Sequence, residues 1–322
     1  MEWRRGWGGI DMTIQTTFMV VRRSEMYIEQ SRIFNMDCFE GLKNLYESYG
    51  QCVDCVVTSP PYAQQRLHQY GGVDETLYPQ WTVEWMDAVG RVLKPEGSVF
   101  IVIRPHIKNG VISDYVLKTR LALRKAGWYE CEELIWIKPD SPPLGSVNRP
   151  RRAWESILWF SKSNKPYCDP KANGTFSNRI GFENNKFKHG GKSHIHAGQR
   201  NASIGIARCK DYVEAGTSKV KKGIKHEAMY PVQVPEYLIK MCTKERQIVL
   251  DPFIGSGTTA EACIKLNRGF VGYEIKSDYY EIANAVILDS IISSGKETIY
   301  KEFVEQNWER YKIKLRLFCD DF

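Results

Sequence analysis

The stretch 247–274 limits the fold more tightly than any other part of the chain. An apolar run, Gln247–Leu250, leads into Asp251-Pro252-Phe253-Ile254-Gly255-Ser256-Gly257-Thr258-Thr259. A helical pattern near 258–266 and a second apolar run, Gly269–Tyr273, follow. Strand, glycine-rich turn, helix and strand at this spacing make a βαβ unit, whose strands are parallel and need cover on both faces. The glycines let the backbone turn sharply and approach a ligand closely at the carboxyl end of a strand. Glu274 ends the second strand, 17 residues after Gly257, where an acid can accept hydrogen bonds from ribose hydroxyls. No Gly-Lys-Ser/Thr follows, which excludes a P-loop. Taken alone, the turn fits a nicotinamide cofactor, another nucleotide-like ligand, or a plain tight turn with a buried Asp251.

The same alternation runs through most of the chain. Short strands are expected at Arg32–Asn35 and Cys52–Val57, with a helix around Phe39–Tyr46 between them. Trp81, Trp85, Ala88, Val89, Val92 and Leu93 recur at helical spacing. Lys94-Pro95-Glu96-Gly97 is expected to turn the chain into an apolar strand, Ser98–Ile103. A helix near 113–126, strands near 129–137 and 155–160, and helices near 235–243 and 278–292 complete the pattern. Alternating strands and helices predict an α/β doubly wound, mostly parallel sheet.

A second turn carries chemistry of its own. Thr58-Ser59-Pro60-Pro61-Tyr62 ends the strand Cys52–Val57. Consecutive prolines have no N–H and hold an extended backbone, so neighbouring carbonyls are left as acceptors. Ser59 adds a hydroxyl and Tyr62 a flat ring. Acceptors beside an aromatic face suit a planar group bearing an NH2, such as a base rotated out of a duplex. A proline turn with an ordinary surface tyrosine is the plainer reading.

Composition changes abruptly at 163–225. This stretch holds 13 Lys and Arg against 4 Asp and Glu, a net +9, while the whole chain carries only +7. It reads as an insert suited to an anionic partner. Lys186, Lys188, Arg200, Arg208, Lys219, Lys221 and Lys222 are its candidate contacts to such a partner. His189, His194 and His196 lie in it without a cysteine or acidic partner at ligand spacing, so no metal is expected. The nine cysteines are scattered, several within apolar runs, and Cys52-Val-Asp-Cys55 has no second pair, which reads as reduced thiols in a cytoplasmic protein. No apolar run approaches membrane-spanning length. Residues 1–25 read as a loose arm, with Met12 as an alternative start, and 297–322 as a helical tail.

Both turns together resemble the amino-methyltransferases of DNA, the N4-cytosine and N6-adenine enzymes. Ser59–Tyr62 matches the family's Asp/Asn/Ser-Pro-Pro-Tyr/Phe motif, and Asp251–Thr259 its Asp-Pro-Phe-x-Gly-Ser-Gly-Thr-Thr loop. His226-Glu-Ala-Met-Tyr-Pro231 is similar to a His-Pro-Ala-x-Phe-Pro motif, with Glu227 in place of the first proline. Asn35-Met-Asp37-Cys, Arg91–Gly97 and Arg152–Ser156 resemble the remaining motifs. Their order is that of the circularly permuted beta arrangement.

The resemblance implies a Rossmann-like S-adenosylmethionine-dependent methyltransferase fold over 26–162 and 226–296, with target recognition by 163–225. It implies that Ser59, Pro60, Pro61 and Tyr62 act on the base. It places Asp37, His226, Asp251, Phe253, Gly255, Ser256, Gly257, Thr258 and Glu274 around S-adenosylmethionine. Serine before Pro-Pro-Tyr favours cytosine N4 over adenine N6. Double-stranded DNA is the implied substrate, and a homodimer and a cognate restriction endonuclease are implied partners. A nicotinamide oxidoreductase, or a DNA-binding protein without catalysis, are the competing classes. The first leaves Ser59–Tyr62 and the basic insert idle; the second leaves both turns unexplained. C5 methylation would need a Pro-Cys turn, which the chain lacks.

Overall fold

A computed structural model describes residues 26–63, 72–141, 148–176, 187–189, 192–194, 206–216 and 230–308. In chain order the elements are β1 (Arg32–Phe34), α1 (Cys38–Tyr49), β2 (Val53–Thr58), α2 (Tyr78–Val92) and β3 (Leu93–Ile103). Next come β4 (Ile107–Lys108), β5 (Val111–Ile112), α3 (Tyr115–Lys125), β6 (Tyr129–Ile137), β7 (Trp154–Ser161), β8 (Phe187–His189) and β9 (Lys192–His194). The series ends with β10 (Tyr212–Glu214), α4 (Gln233–Cys242), β11 (Ile248–Asp251), α5 (Thr258–Lys265), β12 (Gly269–Tyr273) and α6 (Ser277–Ser293).

Eight strands make one sheet in the order β1-β12-β11-β2-β3-β7-β6-β10, and only β7 runs against its neighbours. The apolar strands alternate between two cores. Cys55, Val57, Phe100 and Val102 face α4, α5 and α6. Val56, Val99, Ile101 and Ile103 face α1, α2 and α3. Cover on both faces is what the unbroken apolar runs require, and the doubly wound, Rossmann-like architecture is as the alternation predicts.

Three local departures have physical causes. Lys94–Gly97 is not a turn before a strand: it lies within β3 and bulges out, for Val53 pairs with Leu93 and Cys55 with Ser98. Helix α2 begins three residues before Trp81, with Pro79 in its first turn, where a missing N–H costs nothing. Asn109 and Gly110, at φ 51° and 76°, close the β4–β5 hairpin as a paired left-handed turn.

Within 163–225, β10 adds to the sheet edge beside β6, so this part of the basic stretch is continuous with the main sheet. At the other end, a helical turn over 301–308 follows Tyr300, and Tyr300 and Phe303 pack on Phe270. Among the described residues no helix is long and apolar enough to cross a membrane.

Candidate active site

The parallel strands β1, β12, β11, β2 and β3 all end on one side of the sheet, and both turns project from that side. They are joined there by a buried carboxylate. Thr58, last residue of β2, donates its hydroxyl to Asp251 Oδ1 at 2.7 Å. Asp251, last residue of β11, also accepts the Phe253 N–H at 3.0 Å and the Thr259 hydroxyl at 2.6 Å. The Tyr230 hydroxyl reaches its Oδ2 at 3.4 Å and pairs with Thr259. Burial pushes the Asp251 carboxyl above its ordinary value although all four donors pull it down. Asp251 therefore binds three motifs together: the Ser-Pro-Pro-Tyr turn, the glycine loop and the segment before α4.

The glycine loop is locally determined. Gly255 and Gly257 have φ of 54° and 89°, a region that side chains disfavour. A Cβ at Gly257 would also lie 3.2 Å from Ile287 Cγ1 and 3.4 Å from Ala283 Cα. Ser256 is buried and Thr258 opens α5. The Phe253 ring stands against Trp81 and Trp85, each at 5.5 Å between centroids, so it anchors the loop to α2. Glu274 turns inward: its oxygens accept the N–H of Gly255 at 3.1 Å and of Lys276 at 2.9 Å. Burial raises its pKa, with those two donors working the other way.

Beyond the end of β1, the neighbour of β12, Asp37 caps α1 by accepting the Phe39 N–H at 2.8 Å and is otherwise exposed. Asn35 holds β1 to the end of β12 through the Glu274 carbonyl, at 2.8 Å. Ile275 follows Glu274 with 64% of its surface exposed, a large apolar side chain open to solvent beside the β12 end. A lone isoleucine carries no pattern by which a sequence could mark it.

On the other side of Ser59–Tyr62 stands a group of charges that the sequence did not announce. The Tyr62 hydroxyl donates to Glu155 Oε2 at 2.6 Å, and Lys138 pairs with the other oxygen. Burial lowers the pKa of both Arg104 and Arg152, and the Arg152 charge lowers that of Arg104 further. Arg152 and Glu155 lie in the 152–156 motif, whereas Arg104 and Lys138 are signalled only as charged residues following apolar strands.

The structure thus brings together Ser59, Pro60, Pro61, Tyr62, Asp37, Asp251, Phe253, Gly255, Ser256, Gly257, Thr258 and Glu274 at one end of the sheet. His226, Lys186, Arg200, Lys219, Lys221 and Lys222 lie outside the described residues, Lys188 lies on β8, and Arg208 is exposed.

Comparison with known proteins agrees with this geometry. A family model for DNA methylases, N6_N4_Mtase, matches residues 53–285. The type II methyltransferase M.PvuII of Proteus hauseri is 27% identical over 281 residues, covering 79% of this chain and 84% of its own. M.HindIII of Haemophilus influenzae is 30% identical over 229 residues, covering 64% of this chain and 68% of its own. Among solved structures, the PvuII DNA methyltransferase, described as cytosine-N4-specific, superposes with a TM-score of 0.62 at 26% identity, over 85% of this chain and 92% of its own. An M1.HpyAVI–SAM complex shares the fold at a TM-score of 0.51 and 21% identity, over 79% of this chain and 97% of its own. The chain belongs to the N6/N4 family of DNA methylases, and is a DNA amino-methyltransferase.

Proposed function

We propose that the protein methylates the exocyclic N4 of cytosine in double-stranded DNA, using S-adenosylmethionine. The observation that carries this reading is the Thr58–Asp251 bond, which sets the Ser59–Tyr62 turn beside the glycine loop on neighbouring strand ends. The cytosine assignment has two supports: Ser59 stands where an aspartate marks many adenine enzymes, and the PvuII enzyme, described as cytosine-N4-specific, is similar over most of the chain.

The crevice suits the cofactor. Gly255 brings bare backbone to the loop surface, the exposed Asp37 carboxylate has lone pairs left for a ligand, and Ile275 offers an apolar contact to a planar group. Asp37 and Ile275 would hold the adenine, Glu274 the ribose, and 251–258 the amino-acid end. S-Adenosylmethionine supplies an electrophilic methyl group when bound.

An aromatic amino nitrogen is a poor nucleophile because its lone pair is delocalised into the ring. Ser59 Oγ and the Pro60 carbonyl accept its two protons from outside the ring plane, so the lone pair localises on nitrogen. The Tyr62 ring stacks on the base, worth roughly 1–3 kcal/mol. Transfer then depends on alignment, with reacting atoms about 3–3.5 Å apart. Residues 163–225 supply phosphate and base contacts. A homodimer and a companion endonuclease belong to this reading as the resemblance implies them, and a cytoplasmic location as the scattered cysteines suggest.

The test is transfer from isotopically labelled S-adenosylmethionine to unmethylated plasmid DNA, read by nucleoside mass spectrometry. Labelled N4-methylcytosine is the expected product. Labelled N6-methyladenine would move the target base and keep the mechanism. Absence of label in DNA would overturn the reading.

A further inference from the structure

The Lys138–Glu155 pair is the feature of this end of the sheet that the reaction just described does not use. Its side chains are only 11% and 10% exposed. Desolvation cancels much of the attraction in such a pair, and an apolar pair of similar volume is commonly as stable. Its place beside the catalytic turn therefore asks for another reason. Lys138 follows the end of β6, Glu155 is the second residue of β7, and Tyr62 links them to the turn.

Counting hydrogens gives the direction of the chain. Ser59, three residues before Tyr62 in the same turn, pulls the phenol pKa down against burial and the Glu155 charge, as a hydroxyl donating to the phenol oxygen does. A phenol has one proton, and Tyr62 donates it to Glu155. In the Ser59–Tyr62 bond the serine must then donate, which leaves only lone pairs on Ser59 Oγ to face the site. Lys138 holds Glu155 in the acceptor role from its other oxygen.

We infer that Tyr62, Glu155 and Lys138 form a proton relay that keeps Ser59 as an acceptor and draws off the proton released by the methylated nitrogen. The inference rests on the methyl-transfer reading above. As the nitrogen–carbon bond forms, the carbon–sulfur bond breaks and its electron pair leaves on sulfur. The nitrogen, now positive, gives one proton to Ser59 Oγ, the Ser59 proton passes to the Tyr62 oxygen, and the Tyr62 proton passes to Glu155. Once the product has left, the chain runs back and the proton leaves Ser59 to water. Tyr62 relays without ionising, since burial and the Glu155 charge hold its pKa well above the ordinary phenol value. Glu155 and Lys138 are positioning residues in this scheme. The other groups around Glu155 are Tyr115 from α3, Arg152 from the segment before β7 and Arg104 from the segment after β3.

Tyr62→Phe is the decisive variant because it keeps the ring and the ion pair. Single-turnover transfer from labelled S-adenosylmethionine to DNA, at saturating concentrations of both, is expected to slow by roughly 10²-fold or more, with unchanged affinity for either. Glu155→Gln, which keeps the shape and removes the terminal proton acceptor, should slow single-turnover transfer as well, with cofactor affinity unchanged. A readout without cofactor comes from infrared spectra of protein carrying 13C-labelled glutamate. The difference between wild type and Glu155→Gln marks the Glu155 carboxylate band, and Tyr62→Phe should shift it. If Glu155→Gln does not fold, Tyr62→Phe still decides through its rate. A wild-type rate in Tyr62→Phe, an unmoved band, or a loss restored by more DNA would each overturn the relay alone. No transfer by the wild type would overturn the relay and the methyl-transfer reading together.

Discussion

The two halves of the crevice hold their acids differently. On the β11–β12 side, Asp251 and Glu274 accept from uncharged backbone N–H groups and hydroxyls, the Phe253 and Lys276 N–H groups lying 2 residues from the acid they bind and the Thr58 hydroxyl 193. On the β3–β7–β6 side, Glu155 is fixed by Lys138 and Tyr62, which are 17 and 93 residues away. Backbone donors do not titrate and barely move, which suits a rigid cradle for a ligand of fixed shape. Side-chain hydroxyls and ions can move protons, which suits the side where a proton has to leave. If this contrast is real, changes on the two sides should fail in different ways.

The largest effect should come from Ser59→Ala, at the boundary between the halves. Transfer should fall by roughly 10²–10⁴-fold, while S-adenosylmethionine binding by calorimetry stays as in the wild type. Equal loss of both would mean that the halves are not separable. Next comes Asp251→Ala, which removes the acceptor joining them. Each of its donors that finds no other acceptor costs roughly 1–3 kcal/mol, and the Phe253 N–H cannot turn away. Both thermal stability and cofactor affinity should drop, unlike in Ser59→Ala. Asp251→Asn adds a sign. Since burial raises the folded-state pKa of Asp251, its contribution to stability is fully present below the ordinary carboxylate value and lost as pH rises through the raised one. The stability of the wild type relative to Asp251→Asn should therefore decline as pH rises across that window. A relative stability that instead grows with pH would mean that the four donors outweigh burial.

The same contrast explains what could be read from the chain. The strands β2, β11 and β12 were legible almost to the residue because burial on both faces demands continuous apolar runs, and the glycine loop because its fixing contacts are local. The Asn109-Gly110 hairpin was signalled by its dipeptide and went unread. The bulge at Lys94–Gly97 was not legible, because Lys-Pro-Glu-Gly spells a turn and only the pairing with β2 keeps it within a strand. Tyr230 and Glu155 fall inside the 226–231 and 152–156 motifs and Lys138 in none, but the roles of all three were not legible, because their partners come from distant segments. Most of the basic stretch 163–225 was legible as charge alone.

A smaller effect should come from Gly257→Ala on the cradle side. A side chain at φ 89° is strained, by roughly 1–2 kcal/mol, and the added Cβ presses on Ile287. Melting temperature and cofactor affinity should fall together, and saturating cofactor should restore transfer, since the relay side is untouched. A transfer rate that stays low at saturation would show that the loop also sets the reacting geometry.

The smallest effect should lie outside both halves. If 163–225 supplies phosphate contacts, replacing Lys219, Lys221 and Lys222 by glutamine should leave single-turnover transfer at saturating DNA unchanged and weaken DNA binding. Each lost contact should reduce the slope of log affinity against log salt by about 0.9. The exposed Arg208 is an independent probe of the same idea, and Arg208→Gln should change the slope by about one contact's worth. Affinity that falls with no change in slope would point to direct base contacts. A slope unmoved with full affinity would transfer the electrostatic role to Arg104 and Arg152, on the proton-handling side of the crevice.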